Sequence, residues 1–270
     1  MSTAARPPRL QLRNALSDLE RGFGMRATWL ALARMDIRAR YRGSALGPFW
    51  LTLNTFFFVV AVGLLFSRVT GSTRDAYIPY LAVGYVLWQF ISALISEGCI
   101  CFHQAQATIL QVPLPFSVYA YRMVVRNVFV LAHTALVVAG VLIFYHVDLH
   151  WNAAIAAPAL GLLCLNGLWI ALLLGMLSLR FHDVPPTVAS LLQFAFFLTP
   201  VFWQIDSAGS LRPYAAMNPL FAALDVVRAP LLGMAPQQHS WTIFLGTTVA
   251  GFVVTLLAFA RFRQRIPYWL

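Results

Sequence analysis

The side chains able to do acid–base or metal chemistry are few in this sequence, and they do not gather. Six histidines (His103, His133, His146, His150, His182 and His239) are scattered along the chain, and Cys99, Cys101 and Cys164 lie in or beside apolar runs with no histidine at ligand spacing. A Cys-x-Cys alone reads as packing. General acid–base catalysis needs titratable groups collected at one place, so the sequence predicts no catalytic site and no metal. There is no lysine and no Gly-x-x-x-x-Gly-Lys-Ser/Thr run, which excludes a phosphate-cradling loop of that type. Glu97, Asp183 and Asp206 fall at the ends of apolar runs rather than their middles, which argues against a carrier driven by a midplane acid.

Aromatic side chains are what the apolar runs hold instead. Phe56, Phe57 and Phe58 stand together in one run, and Phe194, Phe196, Phe197 and Phe202 lead to Trp203 in another. Sugar rings present apolar C–H faces that pack on aromatic faces. A polymer could slide over such a lining without tight hydrogen-bonded stops, and the predicted translocation path is Phe56, Phe57, Phe194, Phe197, Phe202 and Trp203.

These residues need elements that can live in lipid. The chain is 60% hydrophobic and 10% charged, with a mean hydropathy of +0.73, whereas a soluble domain is about half apolar and a soluble core stops growing at roughly 250–300 residues. Six runs reach the roughly 20 apolar residues that a bilayer core about 30 Å thick requires: 49–67, 78–97, 118–145, 153–179, 187–204 and 242–260. The predicted fold is all-α, a six-span domain over 49–260 between a cytoplasmic segment 1–48 and a tail 261–270. Trp50, Trp88, Trp151, Trp203, Trp241 and Trp269 lie near predicted span ends, where indoles form interfacial belts.

All nineteen basic residues are Arg, and the net charge is +10. They do not form the single soluble face that nucleic acid requires. Fifteen fall in the N-terminal segment, at Arg122 and Arg126, at Arg180 and in the tail, against Arg68, Arg74, Arg212 and Arg228 in the other connections. By the positive-inside rule both termini are cytoplasmic. Nine Arg and no continuous apolar stretch in the first forty-odd residues argue against a signal peptide. Arg122 and Arg126, one turn apart at the start of the third span, are expected to snorkel to headgroups.

Three stretches outside the spans carry information. Residues 26–42 predict an amphipathic interfacial helix, with Trp29 in its first turn and a stripe of Leu30, Ala33, Ile37 and Tyr41; Arg34, Arg38 and Arg42 border one side and an Asp36/Arg40 pair the other. Gly43, Gly47 and Pro48 then turn the chain into the first span. Connection 98–117 contains a short amphiphilic piece, Gln104 to Gln111, stopped by Pro113 and Pro115, a shape suited to docking. Stretch 205–240 is too long for an idle loop and too apolar for disorder. Its prolines, 213, 219, 230 and 236, bound two short apolar pieces and predict a re-entrant hairpin from the outer face, with Asp225 and Arg228 paired at i,i+3.

Several blocks together resemble the ABC-2-type permeases, the membrane subunits of O-antigen, capsule and teichoic-acid exporters. They are Arg34-Met-Asp-Ile-Arg-Ala-Arg-Tyr-Arg-Gly-Ser-Ala-Leu-Gly47 with Pro48-Phe-Trp50, Ile109-Leu-Gln-Val-Pro-Leu-Pro115, Phe181-His-Asp-Val184, Leu198-Thr-Pro-Val-Phe-Trp203 and Met217-Asn-Pro-Leu220. The resemblance implies a homodimer in a bacterial inner membrane, with a canal for a lipid-linked polysaccharide between the copies. It also implies two copies of a separate ATPase that holds the ATP and magnesium, so the chain itself needs no cofactor. A coupling helix would dock through Gln104, Thr108, Ile109, Leu110, Gln111 and Val112. An external gate would use Tyr214, Asn218, Pro219, Asp225 and Arg228. Gln111 stands where the family commonly has a basic residue, Leu114-Pro115 replaces Phe-Pro, and His182 stands where Arg is more frequent, so charge complementarity at those points does not carry over. An exporter of drugs or small lipids shares the fold, and a membrane-embedded transferase is the rival from another class.

Overall fold

The computed structural model describes residues 8–69 and 73–270, which are helical with no strand among them. In chain order the helices are α1 (Pro8–Gly24), α2 (Arg26–Arg40), α3 (Phe49–Val69), α4 (Arg74–Gln104), α5 (Gln106–Gln111), α6 (Ser117–Phe144), α7 (Ala156–Arg180), α8 (Val184–Leu198), α9 (Arg212–Ala216), α10 (Pro219–Leu231), α11 (Ser240–Phe262) and α12 (Ile266–Trp269). Five of them (α3, α4, α6, α7 and α11) are long and apolar enough to cross a membrane.

The expected span 187–204 is not one continuous helix. It is α8, fifteen residues long and therefore about 22 Å, less than a bilayer core of about 30 Å. Its end is set by Pro200, whose ring disfavours helical backbone at the residue before it; Thr199 is extended, at φ −94° and ψ 134°. The second expected span, 78–97, is longer than composition shows, because α4 continues to Arg74 at one end and Gln104 at the other.

α4 is the central element and is buried along most of its length, against α6 and α7. Small residues let it approach α7. Gly98 lies with its would-be Cβ 3.3 Å from the Ala171 backbone, and a Cβ at Gly175 would stand 2.9 Å from the Phe102 ring. Trp88 is accordingly a mid-helix core residue, 6% exposed, and not an interfacial anchor. By contrast α3 leaves Phe57 and Leu65 exposed, and α8 leaves Leu191, Phe194 and Leu198 exposed.

Among the described residues, 8–48 hold two helices where one was expected. α1 packs on α6 and α11. Its Gly22 lies against Ser117 with no room for a Cβ, and its buried Asp18 accepts hydrogen bonds from the Phe116 and Ser117 N–H groups. A carboxylate there satisfies otherwise orphaned donors at the start of α6 and meets the positive end of its dipole.

Candidate translocation groove and docking end

The ends of α4, α7 and α11 and the starts of α6 and α8 share one end of the bundle, where most of the arginines lie. There the chain leaves α4 at Gln104, breaks at the buried Ala105 and forms α5, six residues ended by Val112 in extended backbone before Pro113. The expected docking piece Gln104–Val112 is thus split. Gln104 belongs to α4, and its Oε1 accepts from Arg126 Nη2 at 3.1 Å. Leu110 and Val112 are exposed, at 58% and 44%, and Gln111 is exposed beside them. Thr108 and Ile109 are half-buried, Ile109 against the core. Gln106 Nε2 donates to the Leu270 carbonyl at 2.8 Å, which braces α5 on the tail.

Above α5 lies a cluster of charges. Arg122 makes a bidentate pair with Asp36, and Arg126 bonds Asp36 at 3.1 Å and Glu97 at 2.8 Å. Glu97 also accepts from Asn127 at 2.8 Å and from Arg40 at 3.0 Å. Two expectations are corrected here. Arg122 and Arg126 do not snorkel to headgroups, because carboxylates of α2 and α4 reach them; Arg126 is 6% exposed. Asp36 and Arg40 turn to other helices rather than to each other, because α2 packs on α6 with Trp29 stacked on Tyr121 and Ala33 fully buried. Arg34, Arg38 and Arg42 are exposed and Tyr41 is half-buried. Partial burial pushes the Tyr41 phenol upward. Burial draws the Arg40 guanidinium down, but the Glu97 hydrogen bond and charge outweigh it, leaving the group raised.

Between α3, α4 and α8 runs a groove of about 520 Å³. Phe58 stacks on Tyr85 with ring centroids 3.8 Å apart, and Trp88 meets Phe196 at 5.6 Å. Gln89, Ser92 and Gln193 add polar groups to the same lining, and Thr55 Oγ1 donates to Gln89 Oε1 at 3.3 Å. Of the six predicted path residues, only Phe197 lines this groove. Phe202 packs on Phe196 and Phe197, and Trp203 Nε1 donates to the Phe197 carbonyl at 3.0 Å. Phe57 and Phe194 are exposed, and Phe56 lines a separate apolar groove between α3 and α6. The wall that sequence reasoning missed is on α4. Tyr85, Trp88, Gln89 and Ser92 stand at i, i+3, i+4 and i+7, so their common face was open to discovery from spacing alone.

At the opposite end, the turn after α8 is held by its carbonyls. Tyr80 Oη donates to Pro200 O and Trp203 O, Tyr77 Oη to Phe202 O, and Arg228 Nη1 to Pro200 O at 2.7 Å. Arg228 also lies over the Tyr80 ring, 3.9 Å from its centroid. The expected Asp225–Arg228 pair is corrected. Asp225 accepts from the Gln237 N–H and Ser240 Oγ, both at 2.7 Å, and so ties α10 to the start of α11. Pro219 opens α10 at its first position, and Asn218 is its N-cap, accepting from the Leu220 N–H. Asn218 Nδ2 also donates to Thr199 Oγ1 at 3.0 Å. Tyr214 is 76% exposed.

A helical bundle with a groove rather than a reacting centre agrees with comparison to known proteins: residues 27–232 match the family of ABC-2 type transporters. The chain belongs to that family. This permease is a transport subunit and not itself an enzyme. A relative from Myxococcus xanthus, the O-antigen export system permease protein RfbA, is 27% identical over 211 residues, covering 76% of this chain and 80% of its own. The family match begins after α1 and ends before α11, so α1 and the tail that packs on it lie outside it.

Proposed function

We propose that the permease exports a lipid-linked polysaccharide across a bacterial inner membrane, as a homodimer driven by two copies of a separate ABC ATPase. The observation that carries this reading is the groove of Phe58, Tyr85, Trp88, Phe196 and Phe197 with Gln89 and Gln193 among the rings. Ring faces suit the C–H faces of sugars, while amides suit hydroxyls; a cargo of drugs or simple lipids has less use for the second. The relative from Myxococcus xanthus, an O-antigen export system permease by name, points the same way. The exposed aromatic faces of α3 and α8 would meet across the dimer axis and close the groove into a canal.

In this reading the arginine-rich end faces the cytoplasm and α5 docks on the ATPase through Leu110, Gln111 and Val112. α8 with the turn after it is the fifth of six spans, and a short one. α9 and α10 form the re-entrant external gate. α10 has thirteen residues, about 20 Å of helix, and is buried from Phe221 to Pro230, as backbone that enters a membrane without crossing must be.

The test is hydrolysis by the reconstituted permease–ATPase complex in liposomes. A polyprenyl-linked glycan is expected to stimulate it, the same carrier without sugar is not, and the double substitution Trp88→Ala/Gln193→Ala is expected to weaken the response. Equal stimulation by the bare carrier or by amphipathic drugs overturns the polysaccharide assignment.

A further inference from the structure

A groove of about 780 Å³ opens at the arginine-rich end, between α1, the segment after α5 and the turn that follows α11. Its walls are tied together. Asp18 of α1 binds the start of α6 and pairs with Arg263 at 3.6 Å, and Arg263 also donates to the Asn14 carbonyl. The lining is apolar along one side, at Ile109, Val112, Leu114 and Phe116, and carries the exposed Arg21 on the other.

We propose that this groove is a second docking element for the ATPase subunit, accepting a segment that presents an apolar side chain beside a carboxylate. The proposal rests on the reading that α5 docks on that subunit. Ile109 and Val112 belong both to the α5 segment and to the groove, so a partner seated on the exposed Leu110 and Val112 already covers one wall. The charge of the groove selects the second half of the ligand. Asp18 is engaged by two N–H groups and an arginine, which leaves Arg21 as the outward charge. A free anion would satisfy Arg21 alone and leave the apolar side uncovered, and a lipid would not follow from the wall that the groove shares with the α5 segment at Ile109 and Val112. A peptide segment of the stated kind satisfies both.

The groove also assigns a specificity role to α1. Its walls include Asn14, Ser17 and Arg21 from α1 and Arg263 and Pro267 from the tail, all outside the 27–232 region that matches the family. Coupling through α5 would then be the shared function of the family, and the groove would distinguish this permease's own ATPase from those of other exporters.

The experiment co-expresses the full permease with the ATPase of the same exporter and measures co-purification at low and high salt. Substitutions are Arg21→Glu, which reverses the outward charge, Ser17→Trp, which plugs the groove without changing charge, and Leu110→Asp on α5 as the reference. Each is accepted only if its gel-filtration profile in detergent matches that of the unaltered protein. Arg21→Glu is expected to weaken capture about tenfold at low salt and less at high salt, and Ser17→Trp to weaken it independently of salt. If both retain full capture while Leu110→Asp loses the ATPase, the groove proposal is wrong and the α5 reading stands. If Leu110→Asp also retains full capture, the α5 reading falls and the proposal with it. If Arg21→Glu reduces only adsorption to phosphatidylglycerol vesicles, the groove is a lipid contact and the proposal is overturned.

Discussion

Both ends of the bundle bury arginine, and they hold it by different means. At the arginine-rich end Arg126 has two carboxylates, Asp36 and Glu97, and the Gln104 amide, while Arg122 shares Asp36. At the opposite end Arg228 is 3% exposed, yet its partners are a carbonyl and the Tyr80 ring, and its neighbour Asp225 is committed to α11. Separating opposite charges in a partly dry site costs about 3–5 kcal/mol, whereas a hydrogen bond from a charged group to a carbonyl, or a cation–π contact, costs about 1–3 kcal/mol to give up. The first arrangement makes a node that moves as one piece. The second can let go more easily, as the external gate proposed above would require.

The largest effect is expected from Arg126→Ala. It leaves Asp36 and Glu97 short of their shared cation, at about 3–5 kcal/mol for breaking a buried pair, and thermal unfolding in detergent should show most of the protein lost at temperatures the unaltered chain survives. A stability close to the unaltered protein's would erase the contrast between the two ends. Arg228→Met is expected to cost less, about 1–3 kcal/mol, because no carboxylate is hydrogen-bonded to it and Asp225 keeps its partners at Gln237 and Ser240. The fold should persist while the turn after α8 loosens. A cysteine placed at the buried Ile205 should then react faster with a soluble maleimide than in the unaltered background, and an unchanged rate would show that Arg228 does not hold the turn. Tyr80→Phe should have the smallest effect, about 1 kcal/mol, since the ring under Arg228 remains and only the hydroxyl donated to Pro200 and Trp203 is lost. Hydrogen exchange should rise locally over 199–204 and nowhere along α2.

That contrast was only half legible in the sequence. Arg122 and Arg126 stand one turn apart, and their common face follows from spacing. Their partners do not, because Asp36 and Glu97 lie 86 and 29 residues away and only tertiary packing brings them in. Asp36 and Arg40 form a good local pair on paper. They separate because Trp29 and Ala33 turn the same face of α2 toward α6, where stronger partners wait. Asp225 and Arg228 mislead in the same way. The prolines at 113 and 115 gave away α5, since no distant contact is needed to stop a helix. Phenylalanine density, the signal behind the expected path residues, marks apolar faces of every kind; Phe58 and Tyr85 stack only because α3 and α4 lie side by side.

α4 runs unbroken for 31 residues, from Arg74 to Gln104, and so touches both kinds of arginine site. From Tyr80 to Gln104 is about 36 Å of helix, with no compressible joint between them. Such a strut behaves as a mechanical arm. An axial thrust at its lower end arrives at the upper end undiminished, while a tilt is magnified: about 5° pivoted near Gln104 sweeps Tyr80 through roughly 3 Å. That displacement exceeds what a hydrogen bond tolerates; the midpoint moves about half as far, so the turn at the far end unhooks only when the contacts of α4 with α6 and α7 slide with it.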